Sequence, residues 1–341
     1  MIEAGAPGLD GARTGYLLSR YAESLFWLGR YMERIENLAR ILDVTETFAR
    51  SERDSRNWLS VVQINADEGR FFERHDKATA HTVVQFYVLD RQNPTSIASA
   101  IFSARENART LRPLISTEMW SQINVFYNRV RQLGATDVLP ARLSRLCAEL
   151  KESCQTHTGI TEGTFFRDQG WSFYALGKYL ERGDQTTRLV DIKYHTLLPS
   201  PQAVGSPLDV SQWNAMLRAA AGYHAYRRVY PRGMTPVLVA GFLLLNPAFP
   251  RSLTLSLRQV EWYLAQLRSR YGLRGGSAAL ERLEDLRGAL ERPIDHLIAE
   301  GLHEFLDRVQ RDLILLQGDI ANAFWPAPDL QVEAQAQSQL Q

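Results

Sequence analysis

The chain has 341 residues, 45% of them hydrophobic, and its 39 Lys and Arg against 38 Asp and Glu leave a formal net charge of +1. That length can bury a substantial core in one large domain or two. The near-neutral balance excludes a global field that would recruit nucleic acid or an anionic membrane surface.

Residues 1–14, MIEAGAPGLDGART, carry no basic segment followed by an apolar run, so they read as a flexible N-terminus rather than a signal peptide. Helical periodicity begins at Arg20 and runs to Arg50. Within it Leu25, Leu28, Met32, Ile35, Ala39 and Leu42 form one apolar stripe. The opposite stripe is Phe26, Arg30, Glu33, Asn37 and Arg40, with Arg34 beside it.

Downstream, NWLSVV carries Trp58 and TVVQFYVLDRQNP ends in Asn-Pro. Asn93 suits an N-cap with Pro94 at the first helical position, opening a helix over Ser96 to Ile115. Another helix is expected over Thr117 to Gln132. After a break at GATDVLP, a third covers Ala141 to His157. Its Cys147 and Cys154 lie two turns apart on one face, too far for an easy disulfide, and read as buried or half-buried thiols of a reducing compartment.

Asp168 to Lys193 is again helical, followed by a break at LLPSPQAVGSPLD. QWNAML brings Trp213, and the basic run RRVYPRG at Arg227 reads as a helix end or solvated loop. TPVLVAGFLLLNP follows from Thr235; its apolar core, Val237 to Leu245, is far shorter than a membrane span. Asn246 and Pro247 repeat the Asn-Pro signal before a helix over Arg251 to Arg270. YGLRGGS is a break, Pro293 to Ala323 is helical, and residues 326–341 are polar and expected to be disordered. A soluble, cytoplasmic protein follows from these features.

The chain resembles itself. Aligning Ser24 onward with Ser172 onward pairs 21 positions at an offset of 148, eight of them identical: Ser24, Leu28, Gly29, Tyr31, Glu33, Arg34, Arg40 and Asp43 with Ser172, Leu176, Gly177, Tyr179, Glu181, Arg182, Arg188 and Asp191. Chance would supply about one or two. Trp58 then answers Trp213, Thr82 answers Thr235, and the two Asn-Pro signals correspond, in the same order. The expected architecture is all-α, with two similar helical bundles from an internal duplication, residues 15–165 and 166–325, packed about a pseudo-two-fold axis.

In the second copy the polar stripe becomes Tyr174, Lys178, Glu181, Gln185 and Arg188, with Arg182 beside it. Three readings stand: a solvated face supported by helical charge pairs, a structural network holding the halves together, or a site whose forked guanidinium donors take a carboxylate or phosphate. The neighbouring aromatics Phe26, Trp27, Tyr31, Phe173, Tyr174 and Tyr179 suit a core better than a base-stacking platform.

SRYAESLFWLGRYMERIENLARIL closely resembles the opening of the bacterial alpha-E proteins, all-helical domains named for a Glu-Arg motif. NPTSIASAIFSARENARTLRPLISTEMWSQIN, from Asn93, is similar to a second signature of that family. The resemblance directs attention to Glu33, Arg34, Arg105, Glu106, Asn107, Glu181 and Arg182; the second half has SLRQVEW where Arg-Glu-Asn would fall. It implies partnership with circularly permuted ATP-grasp proteins, and genomic proximity to transglutaminase-like peptidases, hence amide- or peptide-bond formation on a peptide-like substrate.

No phosphate-binding loop, dinucleotide fingerprint or nucleophile elbow is present, and no cofactor is expected. Glu300 and His303 have Glu-x-x-His spacing, but a carboxylate-bridged metal pair needs a second such motif, so no metal is expected. The functional readings are therefore a helical accessory or substrate-holding partner of an ATP-grasp ligase, an enzyme with Glu33 or Glu181 as general base and Arg34 or Arg182 as anion clamp, and a purely structural scaffold.

Overall fold

The computed structural model describes residues 17–52, 56–196 and 207–326. The expected flexible N-terminus, most of the LLPSPQAVGSPLD break and nearly all of the expected disordered tail lie outside them. Among the described residues the chain forms fifteen α-helices and no strand. In order these are α1 (Ser19–Glu52), α2 (Arg56–Ile64), α3 (Glu68–Phe72), α4 (Ala80–Val88), α5 (Ile97–Thr110), α6 (Thr117–Arg131), α7 (Pro140–Thr164) and α8 (Gln169–Thr196). There follow α9 (Pro207–Ala219), α10 (Tyr223–Val229), α11 (Pro236–Leu245), α12 (Leu253–Ser269), α13 (Ser277–Leu290), α14 (Ile294–Ala299) and α15 (Leu302–Phe324).

Two long helices, α1 and α8, pack against each other along the middle of the molecule. Helices α5 and α7 flank α1, with α6 bridging them; α12 and α15 flank α8, with α13 bridging them. Helix α2 leans on both central helices, and α9 packs on α1. The buried apolar side chains form one continuous cluster from Ala22 to Ile320. Leu25, Leu28, Ile35 and Leu42 of the expected apolar stripe are wholly excluded from solvent, each such burial contributing about 1.5 to 3 kcal/mol.

Local chemistry sets the helix ends, and it moves several of them from where the sequence suggested. Asn93 and Asn246 are not N-caps. The Asn93 side chain donates to the Phe86 carbonyl and accepts from the Thr95 amide, while Asn246 accepts from the amides of Ala248 and Phe249. Each thus closes the turn after one helix. The caps of α5 and α12 are Ser96 and Ser252, whose hydroxyls accept from the third following amide, Ser99 and Leu255, at 3.1 Å. The helix expected over Pro293 to Ala323 is divided at Gly301, whose φ of +107° a side chain rarely adopts. The helix expected to end at His157 instead runs on to Thr164, then turns at Phe165 into α8.

Candidate functional site

The seam between α1 and α8 starts from two glycines. A Cβ on Gly29 would collide with the Tyr174 carbonyl oxygen, and one on Gly177 with the Phe26 carbonyl oxygen. The backbones therefore touch here, which lets side chains one turn further along reach across and grip the opposite helix.

Those side chains are the Glu-Arg pairs, and the exchange is reciprocal. Arg34 on α1 holds Glu181 on α8 through two parallel bonds, Nε to Oε1 at 2.7 Å and Nη2 to Oε2 at 3.0 Å. Arg182 on α8 holds Glu33 on α1 the same way, both at 2.8 Å. A planar fork meeting a planar carboxylate is the strongest of the common ionic geometries. Each carboxylate takes a further cation. Arg30 donates to Glu181 at 2.6 Å, and Arg251, from the turn before α12, donates to Glu33 at 2.9 Å. Amides complete the sets: Asn37 donates to Glu33, and Gln185 to Glu181. Glu33 and Glu181 are 4% and 0% exposed, so the polar stripe faces inward rather than water.

The next turn repeats the exchange. Arg40 is paired with Glu36 four residues earlier and donates to the carbonyl of Ala219 at the end of α9, at 2.6 Å. Arg188 is paired with Asp184 four residues earlier and donates to the carbonyl of Ile64 at the end of α2. Arg251 also reaches Glu36 and Asn37, at 2.5 and 3.1 Å. Each central helix thus anchors a shorter one by a guanidinium, buried in Arg40 and half-buried in Arg188. Lys178 lies 3.6 Å from Glu162.

These contacts set the proton affinities. Burial alone would raise both motif carboxyls, but Arg182 and Arg251 hold Glu33 far below the usual carboxylate range. Arg34 and Arg30 likewise hold Glu181 at about 2. Burial would weaken the hold of Arg34 and Arg182 on their protons, yet Glu181 and Glu33 fix both more firmly than in water. Arg251 and Lys178 go the other way: burial lowers each despite its acidic neighbours, and Arg182 lowers Lys178 further. A carboxylate so stabilised is a poor proton acceptor at neutral pH.

Beside the Glu181 half of the seam lies a cavity of about 130 Å³. Arg30, Arg34, Arg188, Glu181, Asp184, Gln185, Asn65 and Thr95 supply its polar lining, and Leu38, Leu180, Leu313 and Ile314 its apolar lining. Of the aromatics near the arginines, Phe26, Phe173 and Tyr174 are core. Trp27, Tyr31 and Tyr179 are half-buried with a guanidinium over each ring at 5.2 to 5.8 Å.

Arg30, Glu33, Arg34, Asn37, Arg40, Lys178, Glu181, Arg182, Gln185 and Arg188 thus share one seam, whereas Arg105, Glu106 and Asn107 do not join it. On α5 Arg105 donates to Asn124 of α6 at 2.8 Å and pairs with Glu106, which also pairs with Arg109; Asn107 is half-buried on the same helix. Glu300 and His303 do not converge on a common ligand position. Glu300 pairs with Arg292, and His303 lies 2.9 Å from Asp191. Burial works against protonation of His303, but Asp191 raises its proton affinity overall. Sequence reasoning missed Glu36, Asp184 and Arg251. The first two carry a signal, an acid four residues before a repeated arginine; Arg251 carries none, because only the fold brings it back to α1.

A family model described as "a predicted alpha-helical domain with a conserved ER motif" matches residues 17–325. An uncharacterized protein of Mycobacterium bovis is 25% identical over 344 aligned residues, a match covering 93% of this chain and 38% of the relative. Uncharacterized proteins of two Mycobacterium tuberculosis strains are 25% and 24% identical over the same coverage. The chain therefore spans less than two fifths of the length of these curated relatives. No solved structure matches it. Among the described residues no helix is long and apolar enough to cross a membrane.

Proposed function

The chain belongs to the Alpha-E family, and from that premise we propose that it is a helical accessory protein of an amide- or peptide-bond-forming system, docking a circularly permuted ATP-grasp ligase and holding its peptide-like substrate. The observation that carries the reading is the saturation of the motif. Glu33 and Glu181 each accept from two arginines and an amide in the interior. The signature residues therefore organise the helices, and the chemistry is left to a partner.

A general base at either glutamate would need a carboxyl with raised proton affinity and a free lone pair aimed at substrate; both are depressed instead. The length of the relatives supports an accessory role, since most of each lies outside the matched segment. A transglutaminase-like peptidase belongs to the same proposed setting.

The seam also supports an origin by duplication. The collisions that Gly29 and Gly177 avoid are mutual, the Glu-Arg forks are mutual, and Arg40 and Arg188 cap corresponding helices. Two copies of one unit related by a pseudo-two-fold axis between α1 and α8 account for all three.

The test is to co-purify the chain with a circularly permuted ATP-grasp protein, then measure ATP hydrolysis and amide formation with each alone and with both. Activity that rises only with both is the expected result. Amide formation by the isolated chain would instead establish the enzyme reading, and a pair that neither associates nor changes rate would leave the structural scaffold.

A further inference from the structure

Three guanidiniums border the cavity beside Glu181, against two carboxylates. Arg30 and Arg34 converge on Glu181, and Arg188 on Asp184, so one positive charge is left over in a region where Arg30, Glu181 and Asp184 are all at least nine-tenths buried. Buried charge is costly unless paired. Nor are the donors used up: among the described residues Arg34 Nη1 and Arg30 Nη2 hold no hydrogen bond, their other nitrogens serving Glu181 and Gln317. The Glu33 side has the same balance, Arg182, Arg251 and Arg40 against Glu33 and Glu36, but there Arg251 spends its donors on Glu33, Glu36 and Asn37.

The apolar part of the lining decides what kind of anion fits. Leu313 and Ile314 of α15 add hydrocarbon to a lining that carries the arginines, which suits a ligand with an anionic head and an apolar body better than a fully hydrated inorganic anion. Ile314 sits at the mouth, 60% exposed.

We propose that this cavity binds the carboxylate of a small acyl or peptide-like ligand, with Arg30 and Arg34 as its donors and Leu313 and Ile314 against its side chain. The inference rests on the substrate-holding reading and names its ligand class. An organic carboxylate that supplies the missing charge makes charge-assisted bonds to donors already held in place by Glu181, with little ordering required on binding.

The probes are N-acetylalanine, its uncharged amide N-acetylalaninamide, and inorganic phosphate, titrated calorimetrically into the full chain. N-acetylalanine is expected to bind saturably, with the amide and phosphate each weaker by at least about tenfold. Ile314→Glu places a like charge at the mouth without touching the ion pairs, and should weaken N-acetylalanine by about tenfold at unchanged melting temperature. Val125→Glu, which adds the same charge at an exposed position outside the cavity lining, should not weaken it. Equal binding of acid and amide, phosphate as tight as the acid, no saturable binding, or indifference to Ile314→Glu overturns the proposal. Such a failure leaves the ligase partnership standing, whereas failed co-purification with the ligase removes the partnership and leaves this binding result intact.

Discussion

Replacing Glu181 by Gln keeps the shape of the side chain and removes the charge on which Arg30 and Arg34 converge. In the folded protein burial pushes this carboxyl up and the two arginines more than offset it, taking it from an ordinary 4.5 to about 2. At about 1.4 kcal/mol for each pH unit, that gap corresponds to about 3 kcal/mol of folding stability at neutral pH. A second route gives a similar size: removing one partner of a buried ion pair leaves the other charge uncompensated, at about 3 to 5 kcal/mol. Glu181→Gln should therefore lose about 3 kcal/mol at pH 7, measured by urea unfolding followed by circular dichroism at 222 nm. The pH dependence has a defined sign. Because the folded carboxyl is the stronger acid, its contribution is fully present above about 4.5 and is lost as pH falls toward 2, so the gap between wild type and variant should close over that window. Adding Arg34→Gln to Glu181→Gln should cost less than Arg34→Gln costs alone, by about 1 to 3 kcal/mol, since the partner is already gone. A gap below about 0.5 kcal/mol at pH 7, or one that stays constant down to pH 2.5, would refute the buried-clasp argument.

The helix crossing makes a separate prediction. Gly177→Ala drives a methyl into the Phe26 carbonyl and should destabilise by at least about 1 to 3 kcal/mol, whereas Gly159→Ala, in α7 with open space around it, should stabilise by about 0.5 to 1 kcal/mol. Thermal melting of the two variants checks both signs at once. His157, enclosed by Gln122, Thr161 and Tyr174, is lowered by burial and by Lys178 from 6.5 to about 3. Its neutral form is the folded one, so its contribution is complete above 6.5 and is lost as pH falls toward 3; His157→Gln should flatten the stability profile in that range. Cys147 and Cys154 are buried, and burial raises both thiols well above their ordinary value. Neither should react with a thiol reagent in the native protein at pH 8, and both should react in urea; rapid native labelling would show that α7 opens readily.

How much of the site could be read without coordinates depends on whether a residue's role is local. The internal sequence match placed Arg30, Glu33, Arg34, Asn37 and Arg40 and the residues aligned with them on matching helix faces, because helical phase follows from spacing. It could not say whether that face met water or protein: a charged stripe on a helix is ordinarily a solvated one, and here a second charged stripe covers it. The Asn-Pro signals suit caps and turns alike, because Asn and Pro favour both helix starts and turns. Ser96 and Ser252, a few residues later, take the capping role, since the orphan amides of a helix need an acceptor at the position where the helix begins.

Composition, periodicity and the internal match were enough to determine an all-helical chain and to single out its Glu-Arg residues, since both depend on spacing along one backbone. Only the tertiary structure decided that Glu33 answers Arg182 and Glu181 answers Arg34 across the seam, that Arg251 returns to complete one side, and that a cavity bordered by guanidinium groups lies beside the other. Pairing across helices depends on how closely two backbones approach, and that distance is set here by Gly29 and Gly177. Neither glycine reveals its partner until both helices are in place.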